Sequence, residues 1–209
     1  MHQTENRDDE RLADRNAALR NMFAARKRVF IDLLKWDLPV LAGQYEIDQF
    51  DDTDARYLIL TGPSGEHRAS ARLLRTDRPH ILGDLYPFLC AGPVPTGPTT
   101  REITRFCLDP QQRAHERRKS RDELVTALAT HALATGITSY TGVASCLWFD
   151  QVAKFGWSCR RLGPPVEICG NRLVALHIEI DAATCAGLRN GGIFHDKTVG
   201  LNEQAETVS

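Results

Sequence analysis

The sequence predicts an α/β sandwich built on a mixed sheet, and three observations carry that prediction. Arg56 to Leu60 and Arg68 to Arg75 are strand-like runs joined by Gly62-Pro63-Ser64-Gly65, the composition of a hairpin turn. After the hairpin, strand-like and helix-like periods alternate as far as Ile180, the order expected of a layered α/β sandwich. Two amphipathic segments, one from Ala18 and one from Ser120, each present an apolar stripe that must be buried against something.

Taken in order, residues 1–17 read as a mobile, helical lead-in, 18–195 as a single domain and 196–209 as a C-terminal tail. From Ala18, the residues Leu19, Met22, Phe23, Phe30, Leu33 and Leu34 form one helical stripe, with Arg26 in its middle. The arginine either snorkels out of that stripe or points inward to a carboxylate. Pro39 sets the helix limit near Trp36. Glu46-Ile47-Asp48-Gln49-Phe50-Asp51-Asp52 is an acidic segment in which Asp48 and Asp51, three apart, share one side of a turn. The hairpin's second strand has Arg72 inside an otherwise small and apolar run. Residues 79–91 are expected as a short helix and 92–98 as a Pro- and Gly-rich loop. Arg101 to Leu108 is a strand, halted by Pro110, whose ring fixes φ and removes a donor.

Next comes the densest basic stretch, residues 113–121. Ser120 with Glu123 reads as a capping box opening a helix that buries Leu124, Val125, Leu128, Ala129, Ala132 and Leu133 and stops at Gly136. Ile137 to Ser145 is a strand, Leu147 to Phe155 a helix, and Leu173 to Ile180 a strand with Val174, Leu176, Ile178 and Ile180 on one face. His177 faces the other way, as an ordinary strand residue.

Composition narrows the function. A net charge of −1 argues against a nucleic-acid binder, whose affinity rests on neutralising phosphates. No apolar run reaches the ~20 residues of a membrane span, and the charged N-terminus has no core for a secretory signal. The six cysteines form no CxxC and no zinc-type spacing, so a reducing cytoplasm and a metal-free site are expected. Against that background the strand 101–108 stands out. Charge on a central strand is tolerated only when partners neutralise it, and this one carries Glu102 and Arg105. Three apart, they fall on opposite faces of a regular strand, and a bulge would bring them together.

The ordered set Arg26-x3-Phe30-x5-Trp36, Glu46-x-Asp48-x2-Asp51, Arg72-Leu73-Leu74 and Glu102-x-Thr104-Arg105-Phe106, followed by Phe155-Gly156-Trp157 and Leu162-Gly163-Pro164, resembles the acyl-homoserine-lactone synthase (autoinducer synthase, LuxI-type) family. The resemblance runs from about Leu19 to about Ile180. It implies a GCN5-related N-acetyltransferase-like three-layer sandwich whose mixed central sheet is splayed to hold a pantetheine arm. It also implies a reaction: the α-amine of S-adenosylmethionine attacks an acyl thioester, and the methionine carboxylate then closes the lactone, releasing methylthioadenosine. The acyl donor is an acyl-carrier protein or acyl-CoA, and no metal or other cofactor is implied.

In this frame Glu102 is the candidate base, with a structural acid holding Arg26 or Arg72 as the alternative. Arg26, Phe30, Trp36, Asp48, Asp51, Arg72, Thr104, Arg105 and Phe106 form the expected S-adenosylmethionine site. One contact between an acid and the cationic ligand is worth ~4 kcal/mol before desolvation. Gly142, Val143, Ala144, Trp148, Phe149 and Val152 are expected at the acyl pocket. Members that select 3-oxo chains often have a threonine at or near the Gly142 position, and the lack of a hydroxyl there argues against a 3-oxo requirement. Arg113, Arg117, Arg118, Lys119 and Arg121 are expected to meet the acyl donor's phosphates or carrier. Two rivals remain: another N-acyltransferase of the same fold, and a regulatory or nucleic-acid-binding module using 113–121.

Overall fold

In the computed structural model, which describes residues 2–196 and 201–203, a long helix α1 (His2–Arg26) leads into a wide π-type turn (Lys27–Leu33). The helix thus begins well before Ala18. The π turn changes the helical period, so Leu33 and Leu34 rotate out to solvent (61% and 48% exposed), against the single stripe expected from the sequence. Lys35, at φ +59°, and a bond from the Trp36 N–H to the Phe30 carbonyl end the segment.

A small ladder, β1 (Val40–Leu41) with β2 (Tyr45–Glu46), brings the acidic segment back under α1. The main sheet comprises β3 (Arg56–Thr61), β4 (His67–Arg75), β5 (Thr100–Leu108), β6 (Ser139–Ser145), β7 (Ser158–Arg161), β8 (Val166–Ile168), β9 (Asn171–Glu179) and β10 (Leu201–Glu203). Its order is β10-β3-β4-β5-β6-β9-β7, with β8 also on β9. Among the described strands only β5 and β6 pair in parallel. Between β4 and β5 come two single turns, Ile81–Leu85 and Pro87–Leu89, rather than one short helix.

Three layers result. On one face of the sheet α1 packs Ala18 and Met22 on Tyr57, Ile59 and Leu74, and the turns at 81–89 place Leu82 and Leu89 against Ala175. On the other face lie α2 (Ala114–Thr135), α3 (Cys146–Val152) and α4 (Thr184–Asn190). There Leu58, Leu73, Leu124, Leu128, Tyr140 and Ile178 belong to the main core. Helix α2 begins at Ala114, two turns earlier than the expected box at Ser120, because the Glu116 carboxylate accepts the Arg113 N–H. Ser120 and Glu123 are buried instead and take bonds from Arg68. Leu133 is 42% exposed, unlike the rest of the expected apolar face. The short strands β7 and β8 are too polar to have been read as strands.

Two irregularities position the site. Across β4 and β5, Ser70 faces Cys107 and Arg72 faces Thr104, so β5 has one residue more than its partner. That residue is Arg105, at φ +49°, and the bulge is the device anticipated from the spacing of Glu102 and Arg105. Glu102, Thr104, Arg105 and Cys107 therefore all lie on the α1 face, while Ile103, Phe106 and Leu108 pack in the main core. Secondly, β5 and β6 pair only at Thr100–Ser139, Arg101–Tyr140 and Glu102–Thr141. Beyond that point β5 stays with β4, all of β6 stays with β9, and the sheet opens.

Candidate active site

Six charged side chains, from α1, β2, β4, β5 and the loop after β2, meet on the α1 face. Arg26, at the end of α1, forks onto both Asp51 oxygens (2.7 and 2.8 Å), and its Nε reaches Glu46. Arg72, from β4, forks onto Asp48 (2.6 and 3.1 Å), meets Asp51 at 2.7 Å and donates from Nε to Thr104 Oγ1 at 2.9 Å. Arg105, turned inward by the bulge, bridges Glu46 (3.1 Å) and Asp48 (2.6 Å). The acidic segment is shaped to receive them: the Asp48 N–H binds Asp51 and the Phe50 N–H binds Asp48. Tyr57 completes the set, its hydroxyl donating to Asp51 at 2.8 Å.

Three arginines face three carboxylates, so the cluster is neutral, and each of the six carboxylate oxygens accepts at least one bond. Burial would raise the Asp51 carboxyl, but Arg26 and Arg72 with the Asp48 N–H outweigh it and hold the group well below its usual range. Burial likewise opposes the charge on Arg26, and Asp51 and Glu46 more than restore it. Aromatic rings line the arginines: Phe23 under Arg26, Phe50 under Arg72 and Phe30 under Arg105 (5.1, 5.9 and 5.6 Å to the ring centres). Trp36 stacks on Phe30 at 5.0 Å and leaves its outer face half exposed.

Glu102 stands beside this cluster without joining it. The sequence suggested an ion pair with Arg26 or Arg72, and neither is made. The side chain is fully buried; Oε1 accepts the Leu82 N–H at 2.9 Å, and Oε2 has no hydrogen-bond partner. Burial pushes its pKa up to about 7, although the Leu82 and Ile81 N–H groups and the field of Arg72 pull the other way. A carboxylate held near neutrality is matched to proton transfer.

The remaining expected residues divide. Phe106 lies on the opposite face, 5.2 Å from Trp148, because the bulge reverses the alternation after Arg105. Gly142 and Ala144 share the α3 side of the sheet with Trp148, Phe149 and Val152, as expected, and Gly142 sits where β5 and β6 part. Val143 faces away from them, toward Leu82 and Leu89. The adjacent Thr141 is fully buried opposite Glu102, its Oγ1 without a partner. Its hydroxyl lies on the Val143 face, away from Ala144, Trp148 and Phe149, so the α3 side has no threonine at the Gly142 position. At the α2 N-terminus Arg113, Arg117, Arg118 and Lys119 are exposed. Arg121 is not free with them, since it pairs with Asp122 at 2.6 Å and covers the Phe155 ring. Sequence reading left Glu46 and Tyr57 out of the site; Glu46 lay within the acidic motif and its full burial was not visible there.

The chain is similar to known proteins both in sequence and in fold. Residues 10–188 match the family model described as autoinducer synthase. An acyl-homoserine-lactone synthase of Ralstonia nicotianae is 32% identical over 170 residues, covering 78% of this chain and 82% of the relative. The crystal structure of TofI in a ternary complex with an inhibitor and MTA superposes with a TM-score of 0.71 at 32% identity, over 81% of this chain and 88% of that one. At the level of fold alone, BjaI, a CoA-dependent acyl-homoserine lactone synthase with SAM and isopentyl-CoA bound, gives a TM-score of 0.78 at 21% identity, covering 87% and 84% of the two chains.

Proposed function

This chain belongs to the autoinducer synthase family, and we propose that its neutral arginine–carboxylate cluster and the separate, buried Glu102 together run acyl-homoserine-lactone synthesis from S-adenosylmethionine and an acyl thioester. The observation that supports this most is the contrast in charge: a saturated cluster beside one carboxylate raised to about 7.

The α-amine has an ordinary pKa near 7.7–8.0, so about a tenth or more is neutral at pH 7 and only modest base assistance is needed. Glu102 takes one ammonium proton, directly or through a water, and the amine attacks the thioester carbonyl. The C–N bond forms, the C–S bond breaks and the thiol leaves with a second proton. The methionine carboxylate then attacks its own γ-carbon, and the sulfonium leaves as neutral methylthioadenosine, so the second step moves no proton. Arg26, Arg72 and Arg105 are held by their acids facing the ligand carboxylate, and the exposed face of Trp36 receives the adenine or the sulfonium. Asp48, Asp51 and Glu46 act mainly by fixing the arginines, because their oxygens are already occupied.

The open β5–β6 seam accepts the pantetheine arm, with Ala144, Trp148, Phe149 and Val152 around the acyl chain. Arg113, Arg117, Arg118 and Lys119 meet the donor's phosphates or an acidic carrier protein. No further cofactor is part of the proposal, and the site of action is the cytoplasm; no helix among the described residues is long and apolar enough to cross a membrane. Mass spectrometry of extracts from a host expressing the chain tests the reading. An acyl-homoserine lactone appearing with methylthioadenosine supports it, and an N-acylated amine without methylthioadenosine returns the chain to the general N-acyltransferases.

A further inference from the structure

The net reaction releases one proton per turnover: the ammonium loses two, the thiol keeps one, and the other is left on a carboxylate with no exposure to solvent. That proton needs a way out. The register of the sheet places a row of side chains on one face, each the backbone neighbour of the last: Glu102 on β5, Thr141 on β6, His177 on β9 and Arg160 on β7. Exposure rises along it, from none at Glu102 and Thr141, through a half-buried His177, to an exposed Arg160. Three consecutive members carry a buried polar atom with no hydrogen-bond partner: Glu102 Oε2, Thr141 Oγ1 and His177 Nδ1. Buried polar atoms are nearly always satisfied, so three in one row, leading from the base to the surface, form a pattern that packing does not explain.

We propose that Thr141 and His177 form the exit path by which the proton taken up by Glu102 reaches solvent, with water bridging the row. This rests on the reading of Glu102 as the base. Two strand spacings separate the ends, about 10 Å along the backbone, within reach of two side chains and one or two waters. The hydroxyl of Thr141 both donates and accepts, and can pass a proton on. His177 is neutral at pH 7, since burial and the Arg160 charge lower its pKa while Glu179 partly opposes them; a neutral imidazole accepts at one nitrogen and releases from the other. The charged groups facing the row are Arg160 on β7, Glu179 on β9, Arg72 on β4 and Asp84 in the turn at 81–85.

The step resets the enzyme and does not make the amide, which gives it a distinctive signature. In His177→Gln the first turnover, measured at pH 8 by rapid quench with enzyme in excess, is expected at the parent rate, because at that pH Glu102 begins mostly ionised. Later turnovers slow about ten-fold in dilute buffer, a smaller loss than that of a direct general base. Added imidazole restores them. Thr141→Val is expected to slow later turnovers in the same way. Melting temperatures of both variants close to that of the parent separate this from misfolding. A loss that imidazole does not relieve, or no loss in either variant, overturns the exit path. Glu102→Gln distinguishes the two levels: if it keeps a normal first turnover the reading of Glu102 as base fails, whereas if it loses the first turnover and His177→Gln is unaffected, only the path fails.

Discussion

Two groups of buried charge sit side by side on the α1 face of the sheet and are treated in opposite ways. The cluster of Arg26, Glu46, Asp48, Asp51, Arg72 and Arg105 is balanced three against three, and its carboxylate oxygens are all used. One strand position away, Glu102 holds a single N–H bond on one oxygen and none on the other, and no arginine reaches it. The first arrangement locks geometry. The second leaves a carboxylate poised between its two protonation states, at a cost in stability whenever it ionises. Comparing them separates the residues that build the site from the one proposed to perform a step.

The largest expected effect comes from breaking the balance. Asp51→Ala removes the partner of Arg26, Arg72 and Tyr57 at once and leaves buried cations uncompensated, a loss of about 3–5 kcal/mol in denaturant unfolding. Activity is expected to fall with it. Arg26→Lys is not a conservative rescue, since a point charge cannot hold Asp51 at two oxygens and Glu46 at a third. A stable, active Asp51→Ala protein would show that the cluster is not the scaffold of the site.

Glu102→Gln is expected to act in the reverse sense on stability. Turnover falls about 100-fold, with a smaller change in the KM for S-adenosylmethionine. The folded-state pKa lies above the unfolded value of 4.5, so the folded protein binds more protons between the two. The protonated carboxyl's contribution is complete below 4.5 and is lost as pH rises through about 7, amounting to roughly 3 kcal/mol by pH 8. Glutamine does not ionise, so the variant should be the more stable protein at pH 8 and the advantage should vanish near pH 4.5. Equal melting temperatures at both pH values would mean that Glu102 is not held near neutrality.

The order of charged and aromatic residues made most of this site legible from the sequence, and even the bulge followed from Glu102 and Arg105 being three apart. What was not legible depends on exact backbone phase. Phe106, grouped with the expected S-adenosylmethionine site by its place in the motif, lies on the other face because the bulge at Arg105 reverses the alternation after it. Leu33 and Leu34 were placed inside because a π turn cannot be told from an α turn by spacing. The start of α2 was missed because its first turns carry charge on an exposed face, where no apolar stripe marks them. The partner of Glu102 turned out to be the backbone N–H of Leu82, a group that no side-chain pattern reports.

Away from both groups, the basic N-terminus of α2 should affect one substrate and not the other. Reversing Arg117 and Arg118 to glutamate is expected to raise the KM for the acyl donor several-fold, mostly through slower encounter, and to leave that for S-adenosylmethionine alone. If the donor is a carrier protein, the parent's KM should also rise steeply between low and physiological salt. A mutant with both constants unchanged would make this surface a solvated face only.

The smallest effect is expected at the seam between the two halves of the sheet. A Cβ on Gly142 would lie 3.0 Å from the Ile103 carbonyl oxygen and 3.8 Å from Leu176 Cδ1. The first approach is tight, yet β5 is no longer paired to β6 at that point and can yield by a few tenths of an ångström. Gly142→Ala should therefore cost no more than about 1 kcal/mol, the scale of a mildly overpacked site. The methyl group would enter the space on the α3 side, where Ala144, Trp148 and Phe149 stand around the proposed acyl chain. Shorter chains should gain on longer ones in a competition assay by a few-fold, less than the about ten-fold or more that one methylene supplies in a closed pocket, because the open seam can yield. Gly142→Leu extends the same series: the bulkier group should shorten the accepted chain further, or abolish turnover if the chain must thread past this position. The product distribution, read by mass spectrometry across the series, decides the matter. If it stays fixed while stability falls from Gly to Ala to Leu, position 142 is a packing contact, and the acyl chain runs elsewhere.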